Sequence, residues 1–301
     1  MANNLLKGKR GIIFGALNDQ SIAWKVAQRA HEEGATFVLT NAPIAMRMGE
    51  INALAAETGS QVIPADATSI EDLTNLVTQA QEILGGKIDF VLHSIGMSPN
   101  VRKGKHYTEN DYNYYNQTMD VSAMSLHKTL ATLYKQDAMN EWGSVIGLSY
   151  IAAQRIFPDY NDMADAKSLL ESIARSFGYH YGIAKKVRVN TISQSPTRTT
   201  AGSGVKGFDG FFTYADKISP LGNASAEDCA NFVVVMFSDL TRMITMQNLF
   251  HDGGFSSMGM SNKAIEQWEP GHRSQYCQLQ FRVQLFQFSH PGFNKNTVPW
   301  L

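Results

Sequence analysis

The sequence predicts an α/β fold, one large doubly wound domain in which a parallel sheet of about seven strands carries helices on both faces. Short apolar runs alternate with longer amphipathic segments through most of the 301 residues. That alternation is the pattern of parallel strands joined by crossover helices and covered on both faces. An apolar content of 44% supplies a core of the size this needs.

Taken in order, the strand runs fall at residues 11–14, 36–40, 61–65, 90–93, 144–148, 187–192 and 248–250. Helical segments lie near 21–33, 46–57, 70–84, 111–137, 161–181 and 226–237. Ligands of such sheets bind outside the carboxyl ends of the strands, so the residues following each strand are the candidates for chemistry. The domain is expected at residues 1–260, followed by a carboxyl-terminal extension at 261–301 of uncertain structure. In that tail no acidic residue follows Glu269, and Leu279, Phe281, Val283 and Leu285 alternate with Gln or Arg. The segment 276–288 reads either as an extra edge strand or as a disordered or non-native extension.

The net charge of −1 gives no whole-protein field that draws nucleic acid or a membrane surface. Cys229 and Cys277 are the only cysteines, which argues against a disulfide framework and for a reducing cytoplasm. Residues 1–10 carry no signal-peptide pattern, and no apolar run is long enough to span a membrane. No metal site is assigned.

After the first strand comes Gly15-Ala16-Leu17-Asn18-Asp19-Gln20-Ser21-Ile22-Ala23. It departs from the usual G-x-G-x-x-G pattern. Gly15 still allows a tight turn, Ser21 offers polar groups at a helix start, and Ala23 permits close helix packing. A pyrophosphate at that helix N-terminus fits this loop, and so does an ordinary strand–helix turn. The second strand ends in Thr40-Asn41, with no carboxylate for a ribose, and Arg47 follows as either a 2′-phosphate partner or a solvated cation. Asp66-Ala67 follows the third strand as an adenine contact or a helix cap. Ser94-Ile95-Gly96 follows the fourth, where a small-residue turn lets backbone pass a ribose or simply turns the chain.

The fifth strand leads to Ser149-Tyr150 and then to Tyr160, with Lys167 seven positions on. On a helix that spacing puts Tyr160 and Lys167 on one face, about two turns apart. A lysine so placed favours phenolate character, lowering a phenol pKa from about 10, and can also hold ribose hydroxyls. Taken as bare spacing, the pair is common by chance; its place after the fifth strand is what gives it weight.

With these residues the chain resembles the bacterial, NADH-dependent enoyl-[acyl-carrier-protein] reductases of the short-chain dehydrogenase/reductase superfamily. The resemblance is carried by the Gly15-x5-Ser21 loop, Asp66, His93-Ser94-Ile95-Gly96, Leu148-Ser149-Tyr150 and Tyr160-x6-Lys167. Ser195-Pro196-Thr197-Arg198-Thr199 and His251-Asp252-Gly253-Gly254-Phe255 follow in family order, and the resemblance ends near residue 260, where the domain is expected to end. Two tyrosines with nine residues between them, Tyr150 and Tyr160, are its most specific mark. Gly147 stands where most other short-chain reductases carry a serine thirteen positions before the tyrosine.

The resemblance implies a single Rossmann-type domain and hydride transfer to the β-carbon of a trans-2-enoyl thioester on acyl carrier protein. It implies a catalytic Tyr160 stabilising the enolate, Lys167 positioning the ribose, and Tyr150 as helper or aromatic wall. Cofactor contacts would come from Gly15, Ser21, Ile22, Asp66, Ala67, Ser94, Ile95, Gly96, Lys167, Thr197 and Thr199. NADH is the implied cofactor, with NADPH left open by the residues. Met97, Ser98, Tyr150, Met163, Val205 and Phe208 would line the acyl pocket, under a substrate loop near 195–215. A homotetramer is implied, with the helices near 111–137 and 161–181 as interfaces. Ser195, Ala164 and Met246 stand where the family commonly has glycine. Two other activities keep the same cofactor end, a ketoreductase acting on 3-oxoacyl thioesters and a non-catalytic NAD(P)H sensor.

Overall fold

Seven apolar runs become seven parallel strands. They are β1 (Arg10–Phe14), β2 (Thr36–Thr40), β3 (Gln61–Val62), β4 (Ile88–His93), β5 (Met139–Ser149), β6 (Arg188–Gln194) and β7 (Asn248–His251). Their order in the sheet is β3-β2-β1-β4-β5-β6-β7, and every pairing is parallel. The structure is a computed structural model and describes residues 3–48, 50–200, 202 and 207–266.

Successive strand side chains point to opposite faces, and the core divides accordingly. Ile12, Val91, Val145 and Val189 pack beneath α3 (Ile70–Leu84), α6 (Ser125–Lys135) and α7 (Asn161–Lys185). Ile13, Phe90, Leu92, Ile146 and Ile192 face α1 (Ile22–Glu32), α2 (Ile51–Thr58) and α9 (Ala226–Phe237). Helix starts carry the expected polar caps: Ser69 accepts from Asp72 N ahead of α3, and Ser225 with Asp228 forms a capping box ahead of α9.

Four expectations need correction. The strand expected over 61–65 is regular only at Gln61–Val62, although Ile63 N and Ala65 N still bond to Leu39 O and Asn41 O; Pro64 lies between them on the edge strand, where its missing N–H removes no bond to β2. The helix expected over 46–57 becomes a 3₁₀ turn at Ala45–Met48 and then α2, with Gly49 in the sequence between them. The helix expected over 111–137 is α5 (Tyr112–Met119), a wide π turn at Asp120–Met124, and α6; Asp111 caps it, accepting from Asn113 N and Tyr114 N. The substrate loop expected through 215 instead enters α8 (Phe208–Ile218), whose buried face is Phe208, Ala215 and Ile218. Gly202, Gly204, Gly207 and Gly210 mask that helix in the sequence, and Gly207, at φ 74, forms its entry. A further short helix, α4 (Pro99–Arg102), follows β4.

One compact unit ends at Ser256 and a second begins at Ser257. Of the second, the structure describes a short helix, α10 (Asn262–Ile265); the tail segment at 276–288 lies outside the described residues. Among the described residues no helix is long and apolar enough to cross a membrane.

Candidate active site

Strand order reverses at β1: the chain runs outward through β2 and β3, then returns to β4 on the other side. A crevice therefore opens between the carboxyl ends of β1 and β4. Gly15 closes its base at φ +93, where a Cβ would lie 2.0 Å from Ser94 O. Only glycine permits that approach. The Ser21 hydroxyl donates to Asn18 O at 2.6 Å and accepts from Leu17 N at 3.2 Å, which fixes the loop. Ser21 makes no side-chain cap bond to α1; its carbonyl accepts from Trp24 N and Lys25 N, which leaves the Ile22 and Ala23 amides facing the crevice end of the helix for an anion. Asn18 Nδ2 donates to Thr200 Oγ1 at 2.8 Å, tying this loop to the segment after β6.

A cavity of about 210 Å³ continues from the crevice across the carboxyl ends of β4, β5 and β6. Ser94, Ile95, Gly96, Met97 and Ser98 line it from the β4 side. Tyr150, Tyr160, Met163 and Lys167 line it from the side of β5 and α7, and Ile22, Thr197, Thr199 and Phe208 complete the wall. Of the other expected contacts, Gly15 and Ser21 belong to the loop below it. Asp66 is exposed at the end of β3, outside the lining, and accepts from Thr68 N and Thr68 Oγ1 at 2.8 and 2.7 Å. Ser69, rather than Asp66, caps the following helix, and Ala67 is buried in the core. Val205 lies outside the described residues. The Ser98 hydroxyl is engaged with Asp162 and with Val101 N, so Ser98 presents little free polarity to the cavity.

Tyr160 and Lys167 meet at the cavity, but not as two residues of one helix face. Tyr160 ends a 3₁₀ turn (Pro158–Tyr160), and α7 begins one residue later. Its phenol departs from the sequence expectation as well: burial pushes the pKa well above the ordinary value, so the group is a neutral O–H donor. Lys167 is buried, and Nζ donates to Leu148 O at 2.7 Å. Burial lowers its pKa to about 8, against the pull of Glu171, so the ammonium persists at neutral pH. Glu171 is itself buried and accepts from Ser149 Oγ at 2.7 Å and Gln154 Nε2 at 3.1 Å. Tyr150 is also held neutral, by burial first and then by Tyr160 and Asp252. Its ring sits 5.0 Å from that of Tyr160, and its buried hydroxyl has no protein partner.

Gly96 and the Lys167 ammonium line the cavity side by side: a Cβ on Gly96 would stand 3.4 Å from Met163 Cε and 3.8 Å from Lys167 Nζ, ordinary contact distances. The small-residue turn and the ammonium together offer backbone and cationic donors to a ribose. The residues present therefore fit a nicotinamide dinucleotide.

Several lining residues escape sequence reasoning. Arg102 and Phe211 line the cavity from α4 and α8, two helices the periodicity did not disclose. The spacing of Phe208 and Phe211 was the available signal. Gln194 also lines it, and its Oε1 accepts from His251 Nδ1–H at 2.7 Å. Gly147 carries less of the argument than its position suggested: a Cβ there would touch Leu126, Thr191 and Leu170 rather than the cavity. The distinguishing group at the cavity is Tyr150.

By fold and by site the chain falls among the short-chain dehydrogenase/reductases. The family model described as "Enoyl-(Acyl carrier protein) reductase" matches residues 15–256. An enoyl-[acyl-carrier-protein] reductase [NADH] FabI of Rickettsia bellii is 34% identical over 268 residues, 88% of this chain and 100% of that protein. The crystal structure of a FabI–NADH complex from Alistipes finegoldii is 62% identical, covers 91% of this chain and 99% of its own, and superposes with a TM-score of 0.87. The enoyl-[acyl-carrier-protein] reductase (NADH) structure from Aquifex aeolicus is 32% identical over 85% of this chain and 100% of its own, with a TM-score of 0.79. The chain belongs to the enoyl-[acyl-carrier-protein] reductase family.

Proposed function

We propose that this chain reduces trans-2-enoyl thioesters borne on acyl carrier protein, with NADH as reductant, in the elongation cycle of bacterial fatty-acid synthesis. The observation that carries the reading is that two neutral phenols, buried Tyr150 and partly buried Tyr160, line one cavity together with the Lys167 ammonium. Bound NADH supplies the hydride that is delivered to the β-carbon of the enoyl group. Negative charge then develops on the thioester oxygen, and the enolate takes up one proton from solvent at its α-carbon to give the saturated thioester. Tyr160 donates its O–H to that oxygen, and stabilisation aimed at developing charge in a dry site is worth far more than in water. Because burial keeps the phenol protonated, it serves as donor without prior proton uptake.

Lys167 binds the ribose hydroxyls, anchored through Leu148 O so that its remaining protons point to the cofactor. Gly15, Ser21 and Ile22 hold the pyrophosphate at the start of α1, and Ser94, Ile95 and Gly96 pass the ribose. Thr197 and Thr199 contact the nicotinamide end, while Asp66 and Ala67 take the adenine. Met97, Ser98, Met163, Val205 and Phe208 form the acyl pocket, and Tyr150 offers its unpaired hydroxyl to the substrate. The reductase domain ends near residue 260, works in the cytoplasm, and assembles as a homotetramer through the helices at 111–137 and 161–181.

Tyr160→Phe tests the assignment. Loss of one such donor lowers kcat by about 10²- to 10³-fold with NADH affinity preserved. A phenylalanine variant as fast as the parent contradicts it.

A further inference from the structure

The residue after Tyr160 has backbone angles that disfavour a side chain. Asn161 sits at φ 44, ψ −134, a region that glycine adopts readily and other residues rarely do. Its amide is held at both ends: Nδ2 donates to Lys105 O at 2.8 Å, and Oδ1 accepts from Asn110 Nδ2 at 2.7 Å. Asp162 follows and is fully buried. Its carboxylate accepts from Ser98 Oγ at 2.6 Å and Asn100 Nδ2 at 2.9 Å. The Thr118 hydroxyl lies 2.9 Å from Asp162 Oδ2 and 2.8 Å from Tyr114 O; its one proton favours the carboxylate, the stronger acceptor.

These contacts come from remote segments, and all of them close on the turn that carries Tyr160. Ser98 and its neighbour Met97 line the cavity from the β4 side, while Asp162 is flanked by Asn161 and by Met163, which lines the cavity from α7. A buried carboxylate costs several kcal/mol to desolvate unless its acceptor sites are filled, and here three side chains fill them. A group that costly has only one efficient arrangement, so it fixes the separation of the two walls. Asp165, one helical turn from Asp162, reinforces the same contact by accepting from Tyr107 and Tyr115 hydroxyls, each at 3.1 Å.

We infer that Asp162, together with Asn161, is a positioning residue that sets the Tyr160 phenol and the width of the acyl pocket by locking the first turn of α7 to the segment 98–118. The inference rests on the proposed role of Tyr160. It assigns Asp162 no contact with substrate or cofactor.

The experiment compares the purified full chain with Asp162→Asn, Thr118→Val, Thr118→Ser and Tyr160→Phe. Enoyl-thioester kinetics, NADH dissociation constants from fluorescence and Tm are recorded for each. Replacing one carboxylate oxygen by an NH₂ turns an acceptor into a donor facing donors. Asp162→Asn then lowers kcat by about 10- to 100-fold, the scale of a small misplacement, and leaves the NADH dissociation constant unchanged. Thr118→Val, which keeps the volume and removes one donor, lowers kcat by a smaller factor, while Thr118→Ser restores the parent rate. Should Asp162→Asn fail to fold, the two Thr118 variants carry the test. A lower Tm with parental kcat and KM in Asp162→Asn or Thr118→Val overturns the inference, leaving a merely structural bond. Equal loss of NADH binding and kcat also overturns it, because the damage would then not be confined to the Tyr160 side. If Tyr160→Phe itself turns over like the parent, the functional reading fails and takes this inference with it. If only Tyr160→Phe is slow, positioning by Asp162 fails alone.

Discussion

Lys167 lives under opposed pressures. Burial disfavours its charge and Glu171 favours it, which leaves the pKa at about 8 instead of 10.5. In the proposed role of Lys167 the ammonium holds the ribose hydroxyls, so bound cofactor favours protonation. NADH affinity is therefore full below about 8 and declines as pH rises through that value. Titration of NADH binding by fluorescence across this range checks it, and Lys167→Met removes both the affinity and its pH dependence. The Tyr160 and Lys167 pair is legible in the sequence because both residues lie in one stretch after one strand. The protonation state of Tyr160 is not, since it follows from packing against Tyr150, Ile151, Ala152 and Phe255 that only the folded chain creates. Asp162 is hidden for the same reason: Ser98, Asn100 and Thr118 form no local motif with it.

At the scale of elements, the strands announce themselves through short apolar runs, and most helices through their apolar faces. What escapes is local chemistry that breaks a period: Pro64 just past β3, the π turn between α5 and α6, and the glycines around α8. The contact between α7 and the approach to β7 shows how one departure is accommodated. Met246 stands where the family commonly has glycine, and it adopts φ 63, a left-handed conformation that strains a side chain. Its N–H donates to Val189 O at 2.8 Å, and its side chain lies over Gly178 of α7. A Cβ on Gly178 would come within 2.6 Å of Met246 Cγ, an atom too close to its own backbone to swing away. Gly178→Ala therefore destabilises by about 1–3 kcal/mol through overpacking. In a Met246→Gly background the same change costs less, and denaturant melts of the four-member cycle reveal a coupling above about 0.5 kcal/mol. Ser195, another departure from glycine, is explained by its hydroxyl, which accepts from Ala224 N at 3.0 Å.

Across the whole molecule, buried carboxylates fasten chain ends and helix ends, and they set its behaviour in acid. The shielded carboxylate of Glu33 accepts from Asn3 N at 2.9 Å, Leu5 N at 3.0 Å and Arg29. Burial pushes its pKa up, but the two amides and the guanidinium outweigh burial and hold it below 4.5. Its folded pKa being depressed, the stability it contributes is present above 4.5 and is lost as pH falls through the lower folded value. Thermal melts show Glu33→Gln below the parent at neutral pH, with the gap closing as the solution is acidified beneath 4.5. Oxidation of NADH by the intact protein tests most directly what the assembled site does. Purified protein is offered a trans-2-enoyl thioester and, separately, a 3-oxoacyl thioester. The structure predicts rapid turnover of the enoyl substrate and its conversion to the saturated thioester, with little or no turnover of the 3-oxo compound. Turnover of the 3-oxoacyl thioester alone, or NADH binding without any turnover, would contradict it.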